Sequence, residues 1–250
     1  MKIHSLFILN KTGACIYARN FTEDFKNIEP NLITPFFSAI FSFSENVISQ
    51  KTPEVLEMGG FRFVFQIKEK FIYTILSDSS VSLLFVQSRL KTITKVFERF
   101  LEENGIEDHE MVQSNDFDEK IENIITGEEE IINSKVLYKK IIDLIKSLVY
   151  ENEILGAALF AINGKVIYTS LPQDILLSSI KELEIRFMVA NEFDETFYSL
   201  ENEQKVFSKR IKIPWKLEPL LIVVLFDVGV PTGMAEVNLE KIVKNIENII

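Results

Sequence analysis

The chain has 250 residues, room for one large domain or two of ordinary size, with 47% apolar and 26% charged residues. That composition is globular and excludes a disordered or fibrous chain. The net charge is −10, of which −9 falls in residues 105–133, and no basic cluster of the kind that displaces counterions from phosphates stands out, so nucleic acid is not an expected partner.

The longest apolar run, Leu220 to Phe226, stops at Asp227. It suits a buried strand and is too short to span a bilayer. Lys2 and His4 precede only a few apolar residues before Asn10 and Lys11, which is not a signal-peptide pattern. Cys15 is the one cysteine, so neither a disulfide framework nor a cysteine metal site is expected, and a reducing, cytoplasmic setting is the default.

In chain order, two short apolar runs flank the turn Asn10-Lys11-Thr12-Gly13, where Asn and Gly suit the positive φ of a tight hairpin. Residues 31–50 follow with Ile33, Phe36, Phe37, Ile40, Val47 and Ile48 at helical spacing, and Pro35 fits a first helical turn. Strands are predicted over 55–58, 61–67 and 71–76, separated by Gly59-Gly60 and by Lys68-Glu69-Lys70. Val86, Leu90, Ile93, Phe97 and Phe100 then make a helical stripe that stops at Asn104-Gly105.

Within the acidic stretch, Asp116-Phe117-Asp118-Glu119 resembles a capping box ahead of Ile121, Ile124 and Ile125, with Gly127 as the stop. A longer helix is predicted over 134–151, with Leu137, Ile141, Leu144 and Leu148 in register. The opening hairpin then recurs. Leu159-Phe160-Ala161-Ile162-Asn163 matches Leu6-Phe7-Ile8-Leu9-Asn10, and, with two turn residues dropped, Gly164 to Tyr168 matches Gly13 to Tyr17. Leu176, Ile180, Leu183 and Phe187 mark the next helix, behind Pro172. Strands over 196–200, 205–213 and 220–228, a turn around 214–219, and a final stripe of Leu239, Ile242, Ile246 and Ile249 complete the pattern. Both halves read β-β-α-β-β-β-α, an α+β chain of two domains, each a five-stranded, mainly antiparallel sheet flanked by helices. The expected division is residues 1–104, an acidic connecting segment over 105–133 with a short amphipathic helix, and 134–250 with a preceding helix.

The same residues bound the chemistry. A phosphate loop needs G-x-x-x-x-G-K-[ST] between a strand and a helix, and both hairpin turns lack that spacing and lead into strands. Cys15 lies inside a strand with no histidine near in sequence, which suits a small packed side chain better than a nucleophile. His4 and His109 are far apart. The acidic runs at Glu107-Asp108-His109-Glu110 and Glu128-Glu129-Glu130 lack the spacing of a calcium loop and suit solvated charge, or contact with a basic partner. No catalytic residue, metal or cofactor is expected, and the chain is not expected to be an enzyme.

The element order is that of the longin and profilin-like folds, and with a helix in front it is that of roadblock (dynein light chain) domains. The first half, on the pattern from Lys2 to Tyr17, resembles longin domains of the TRAPP and sybindin type. The second half resembles a longin or roadblock domain. The resemblance implies a scaffold that pairs through sheet edges and helices and binds small GTPases or other longin and roadblock proteins, as a homo- or hetero-dimer. It also implies membrane trafficking or vesicle tethering, with peripheral membrane association through partners. The tandem arrangement and a composition rich in Lys, Glu and Ile suggest an archaeal relative. Phe36, Phe37, Phe41 and Phe43 span a wider face than one sheet contact needs. Loops could cover the excess, or it could meet another domain or subunit; the resemblance implies that this helix and the short strand after it form a pairing surface, which makes Phe36, Ile40, Phe43 and Val55 the candidate interface residues. The alternative is a pair of small-molecule sensor domains of PAS or GAF type, which would need a cavity inside a sheet.

Overall fold

The computed structural model describes residues 2–26, 30–47, 53–107, 109–127, 135–189, 195–213 and 219–249. The chain divides into two units, Met1–Glu129 and Glu130–Ile250. The first holds β1 (Ile3–Asn10), β2 (Cys15–Asn20), a 3-10 turn (Glu23–Phe25), α1 (Pro30–Val47), β3 (Val55–Met58), β4 (Phe61–Lys68), β5 (Phe71–Asp78), α2 (Leu83–Asn104) and α3 (Asn115–Thr126). The second holds α4 (Lys135–Tyr150), β6 (Gly156–Ala161), β7 (Val166–Thr169), α5 (Gln173–Val189), β8 (Glu195–Ser199), β9 (Lys205–Ile211), β10 (Leu220–Phe226) and α6 (Thr232–Ile249).

The sheets run β2-β1-β5-β4-β3 and β7-β6-β10-β9-β8, antiparallel throughout. The same order in both makes each unit a longin-like domain, as the element order predicts. Strand alternation gives each sheet two apolar faces. In the first unit Leu6, Ile8, Val64, Tyr73 and Ile75 join α2, while Phe7, Leu9, Phe63, Phe65 and Leu76 lie under α1. All seven residues of β10 are buried, as a strand covered on both sides must be.

The two hairpins match more closely than the sequence alignment suggests. The Gly13 amide donates to the Asn10 carbonyl and the Asn10 amide to the Ala14 carbonyl. In the second unit Gly164 donates to Ala161, and Ala161 to Lys165. Asn10 is thus equivalent to Ala161, not Asn163, and the turns are equal in length. Register shifts between Ile8 and Leu9, and between Leu159 and Phe160, then coincide, and Tyr17 remains equivalent to Tyr168. The two-residue gap was an effect of common residue types.

Three further differences have local causes. Pro35 sits inside α1, not in its first turn. The cap of α3 is Ser114, whose Oγ accepts from the Phe117 amide at 3.3 Å, so the box at Asp116 does not form. And α3 is no connector. Phe117 and Ile121 are wholly buried in the first core, and the Phe117 ring lies 4.9 Å from Tyr17 and 4.6 Å from Phe100. On the rim Asp118 accepts from the Tyr17 hydroxyl at 2.7 Å and from Arg19 at 2.5 Å, and Arg19 also pairs with Glu122. Ile48, the side chain of Phe187, the run Glu128–Glu130 and most of the turn around 214–219 lie outside the described residues.

His4 is buried, with Nε2 2.8 Å from Asp78 Oδ1 and Nδ1 2.8 Å from Thr22 Oγ1. A carboxylate only accepts, so Nε2 is the donor there. Partial burial pushes the Asp78 carboxyl up, but the hydrogen bonds from His4 and the Lys2 amide outweigh it and hold the carboxyl below its ordinary 3.8. A depressed carboxyl adds stability above its unfolded value and loses it as the pH falls through the folded value. Asp78→Asn should therefore lower the melting temperature at pH 7, and the gap to wild type should narrow progressively as the pH falls below about 4. A gap that does not narrow on acidification would refute this. Ile121→Ala should cost the first unit about 2–5 kcal/mol in chemical denaturation, against under about 0.5 for exposed Lys120→Ala, because α3 is core.

Candidate functional site

Among the described residues, one flank of α1 carries apolar side chains that remain largely exposed. Phe37 points at the sheet, its ring 5.4 Å from Phe63 and 5.2 Å from Phe65. Thr34 and Ser38 lie on the hairpin side, since a Cβ on Gly13 would stand 2.6 Å from Ser38 Oγ and 3.7 Å from Thr34 Cγ2. At 100° per residue, Ile40, Val47, Phe36, Phe43 and Leu32 all fall on the other side, roughly 60–140° from Phe37. Phe36 shows which side that is, because its ring sits 6.3 Å from Phe63 on β4, next to the edge strand β3. Phe36, Phe43, Val47 and Leu32 are 36%, 59%, 62% and 72% exposed, and Ile40 is half-buried.

The two edges of this sheet differ. Edge β2 is covered: the Val112 amide donates to the Ile16 carbonyl at 2.8 Å, and α3 packs on Tyr17 and Arg19. Edge β3 is bonded to β4 on one side, and among the described residues no strand lies beyond it. Among the described residues, an edge with no strand beyond it therefore adjoins an exposed apolar helix flank.

Three of the four sequence candidates, Phe36, Ile40 and Phe43, share this flank. Val55 lies on the same edge, but its side chain packs into the α2 core on the opposite face, because strand residues alternate. Leu56, opposite Phe63, is the β3 side chain on the α1 face. Sequence reasoning missed Leu32 and Leu56, and also exposed Met58, although the helical wheel and strand alternation both point to them. In the second unit the equivalent edge strand β8 carries Phe197, exposed and 4.7 Å from Phe207.

The candidates for chemistry fall elsewhere. Cys15 is half-buried and desolvation pushes its thiol up to about 11, partly offset by a backbone hydrogen bond at Tyr17, so little thiolate forms at neutral pH. His109 is exposed beside Glu107. Among the described residues no group of three or more His, Cys, Asp or Glu could hold a metal ion, and no helix is long and apolar enough to cross a membrane.

No protein-family model matches the chain, and no curated protein matches it. Solved structures do resemble it. The gliding protein MglB of Thermus thermophilus is 14% identical over 45% of this chain and 90% of its own, with a TM-score of 0.36. Myxococcus xanthus MglB is 15% identical over 44% and 94%, with a TM-score of 0.35. A homology model of the full-length AP-3 complex in a stretched open conformation is 12% identical over 76% and 98%, with a TM-score of 0.29.

Cys15 should resist maleimide at pH 7 to 8 in the folded protein and react in denaturant. Rapid labelling of the native chain would show that the thiol is activated.

Proposed function

We propose that this chain is a non-enzymatic interaction module, a small-GTPase-regulating or vesicle-tethering adaptor, that engages its partner through the α1 flank and the β3 edge of its first unit. The observation that carries the reading is the asymmetry of that sheet. One edge is closed by α3 and residue 112, while the other, among the described residues, has no strand beyond it and lies beside an apolar flank whose remaining exposed surface is worth only part of the about 1.5–3 kcal/mol of a full phenylalanine burial. The small-GTPase part of the proposal comes from the resemblance to longin and roadblock domains. The sensor alternative needs a cavity inside a sheet. The cleft at α1 has the exposed Lys11, Thr12 and Ser42 in its wall and so opens to solvent.

Phe36→Asp with Phe43→Asp should abolish or weaken association while the circular dichroism and melting of the first unit stay within error of wild type. Size-exclusion with light scattering reads self-association. A pull-down against the small GTPases of the source organism reads partner binding. If the double variant matches wild type in both assays, the proposed surface is wrong. If no small GTPase is retained by the wild-type chain while self-association persists, the GTPase reading fails and the pairing reading stands.

A further inference from the structure

On the other side of α1, away from the proposed pairing flank, lies a cleft of about 520 Å³ between that helix and the turn of the β1–β2 hairpin. This is within the range of about 300–1,000 Å³ typical of small-molecule sites. Its floor is apolar: Leu9 and Ile72 from the sheet, Phe37 and Phe41 from the helix. Its mouth is polar, with the hydroxyls of Thr12, Ser38 and Ser42, and Lys11 is the one charged residue in its lining.

The details of the mouth define what fits. Lys11 is exposed on the turn, and no ion pair to it is present among the described residues. The Gly13 turn closes one end by its approach to Ser38, where a Cβ would clash at 2.6 Å. That approach, with φ at +87° for Gly13, fixes the turn against the helix. The backbone amides of the turn are already used by Asn10, since those of Thr12 and Ala14 donate to its Oδ1 and that of Gly13 to its carbonyl. The turn therefore offers no nest of free N–H groups for a dianionic phosphate. It offers one ammonium, which suits a single negative charge. In a chain of net charge −10, a cleft whose lining carries only a positive charge is a selective feature.

We propose that this cleft binds a monoanionic amphiphile, an acyl carboxylate of medium length, with its head at Lys11 and its chain between Phe37, Phe41, Leu9 and Ile72. The inference does not depend on the proposed pairing function. Lys11 supplies charge selection and the floor removes the chain from water; the Thr12 and Ser38 hydroxyls already donate to Asn10 Oδ1 and the Thr34 carbonyl, so the head is held by Lys11 at the solvent-facing rim. Because α1 forms one wall, the ligand also sits against the helix whose far flank is exposed.

The probe is sodium decanoate, below its micellar range, titrated into the full chain and followed by calorimetry and by amide shifts of Gly13 and Ser38. The expected result is one saturable site, shifts confined to the turn and α1, at least tenfold weaker binding of decyltrimethylammonium, and a loss of at least tenfold in Lys11→Glu. Ser42→Trp, which fills the cleft from its exposed rim, should abolish binding while Lys11→Glu leaves the melting temperature unchanged. Equal binding of the cationic chain, or an unchanged Lys11→Glu, would show partition onto apolar surface and overturn the proposal. Absence of saturable binding would overturn it too. If Ser42→Trp does not fold, the charge-reversal and cationic-chain measurements decide alone.

Discussion

Both sheets are apolar on both faces, and that constraint governs the rest of each unit. A strand such as β10, buried along all seven residues, can only exist between two layers, so every sheet needs helices above and below it. The element order supplies one helix to each face by alternation: α1 and α2 in the first unit, α5 and α6 in the second. Two helices do not finish the task. On the α2 side the hairpin tyrosine, Tyr17, still needs cover, and so does its equivalent Tyr168 on the α6 side.

A third helix provides that cover in each unit, and it arrives from opposite directions. In the first, α3 follows α2 and sets Phe117 against Tyr17 and Phe100. In the second, α4 precedes the hairpin, packs with α6, and holds Lys146 5.9 Å from the centre of the Tyr168 ring. The acidic stretch is therefore two things at once. Its apolar stripe completes a core, and among its described residues Glu107, Glu110, Asp116 and Glu119 are exposed while Asp118 and Glu122 tie Arg19 to the helix.

This explains what could and could not be read from sequence. Periodicity located the described strands and helices because each buries one stripe or alternates across a sheet, and those patterns are local. It could not say which sheet α3 belongs to, since Phe117 and Ile121 look the same whether they cover their own unit or join two. The hairpin repeat misled by two residues because Leu, Phe and Asn recur by composition, while the equivalence that matters is the hydrogen-bond geometry at Gly13 and Gly164. The α1 flank was legible as an excess of phenylalanine. Its direction was not, because a wheel fixes angles only relative to an anchor, and the anchors are the tertiary contacts of Phe36 with Phe63 and of Ser38 with the Gly13 turn. Val55 shows the same limit on a strand: its edge was legible, but its face follows from the pairing of Val55 with Val64.

The uncovered flank follows from the same layering. On the face of the first sheet away from α2, α1 is the one described α-helix, joined by Phe25 of the 3-10 turn against Phe61, and it lies over β1, β4 and β5 through Phe37 and Phe41. A single helix about 10 Å across cannot cover five strands spaced about 4.8 Å apart. Beyond it the face must end in polar side chains or remain apolar. Here it remains apolar toward β3, with Phe36, Phe43 and Leu56, and the strand at that edge is short and, among the described residues, unpaired on its outer side. At the opposite edge the chain commits a whole helix and the amide of Val112 to closure. One edge is thus closed from within the unit, while the other, among the described residues, has no strand beyond it and lies beside apolar surface, which is where we propose that a partner docks.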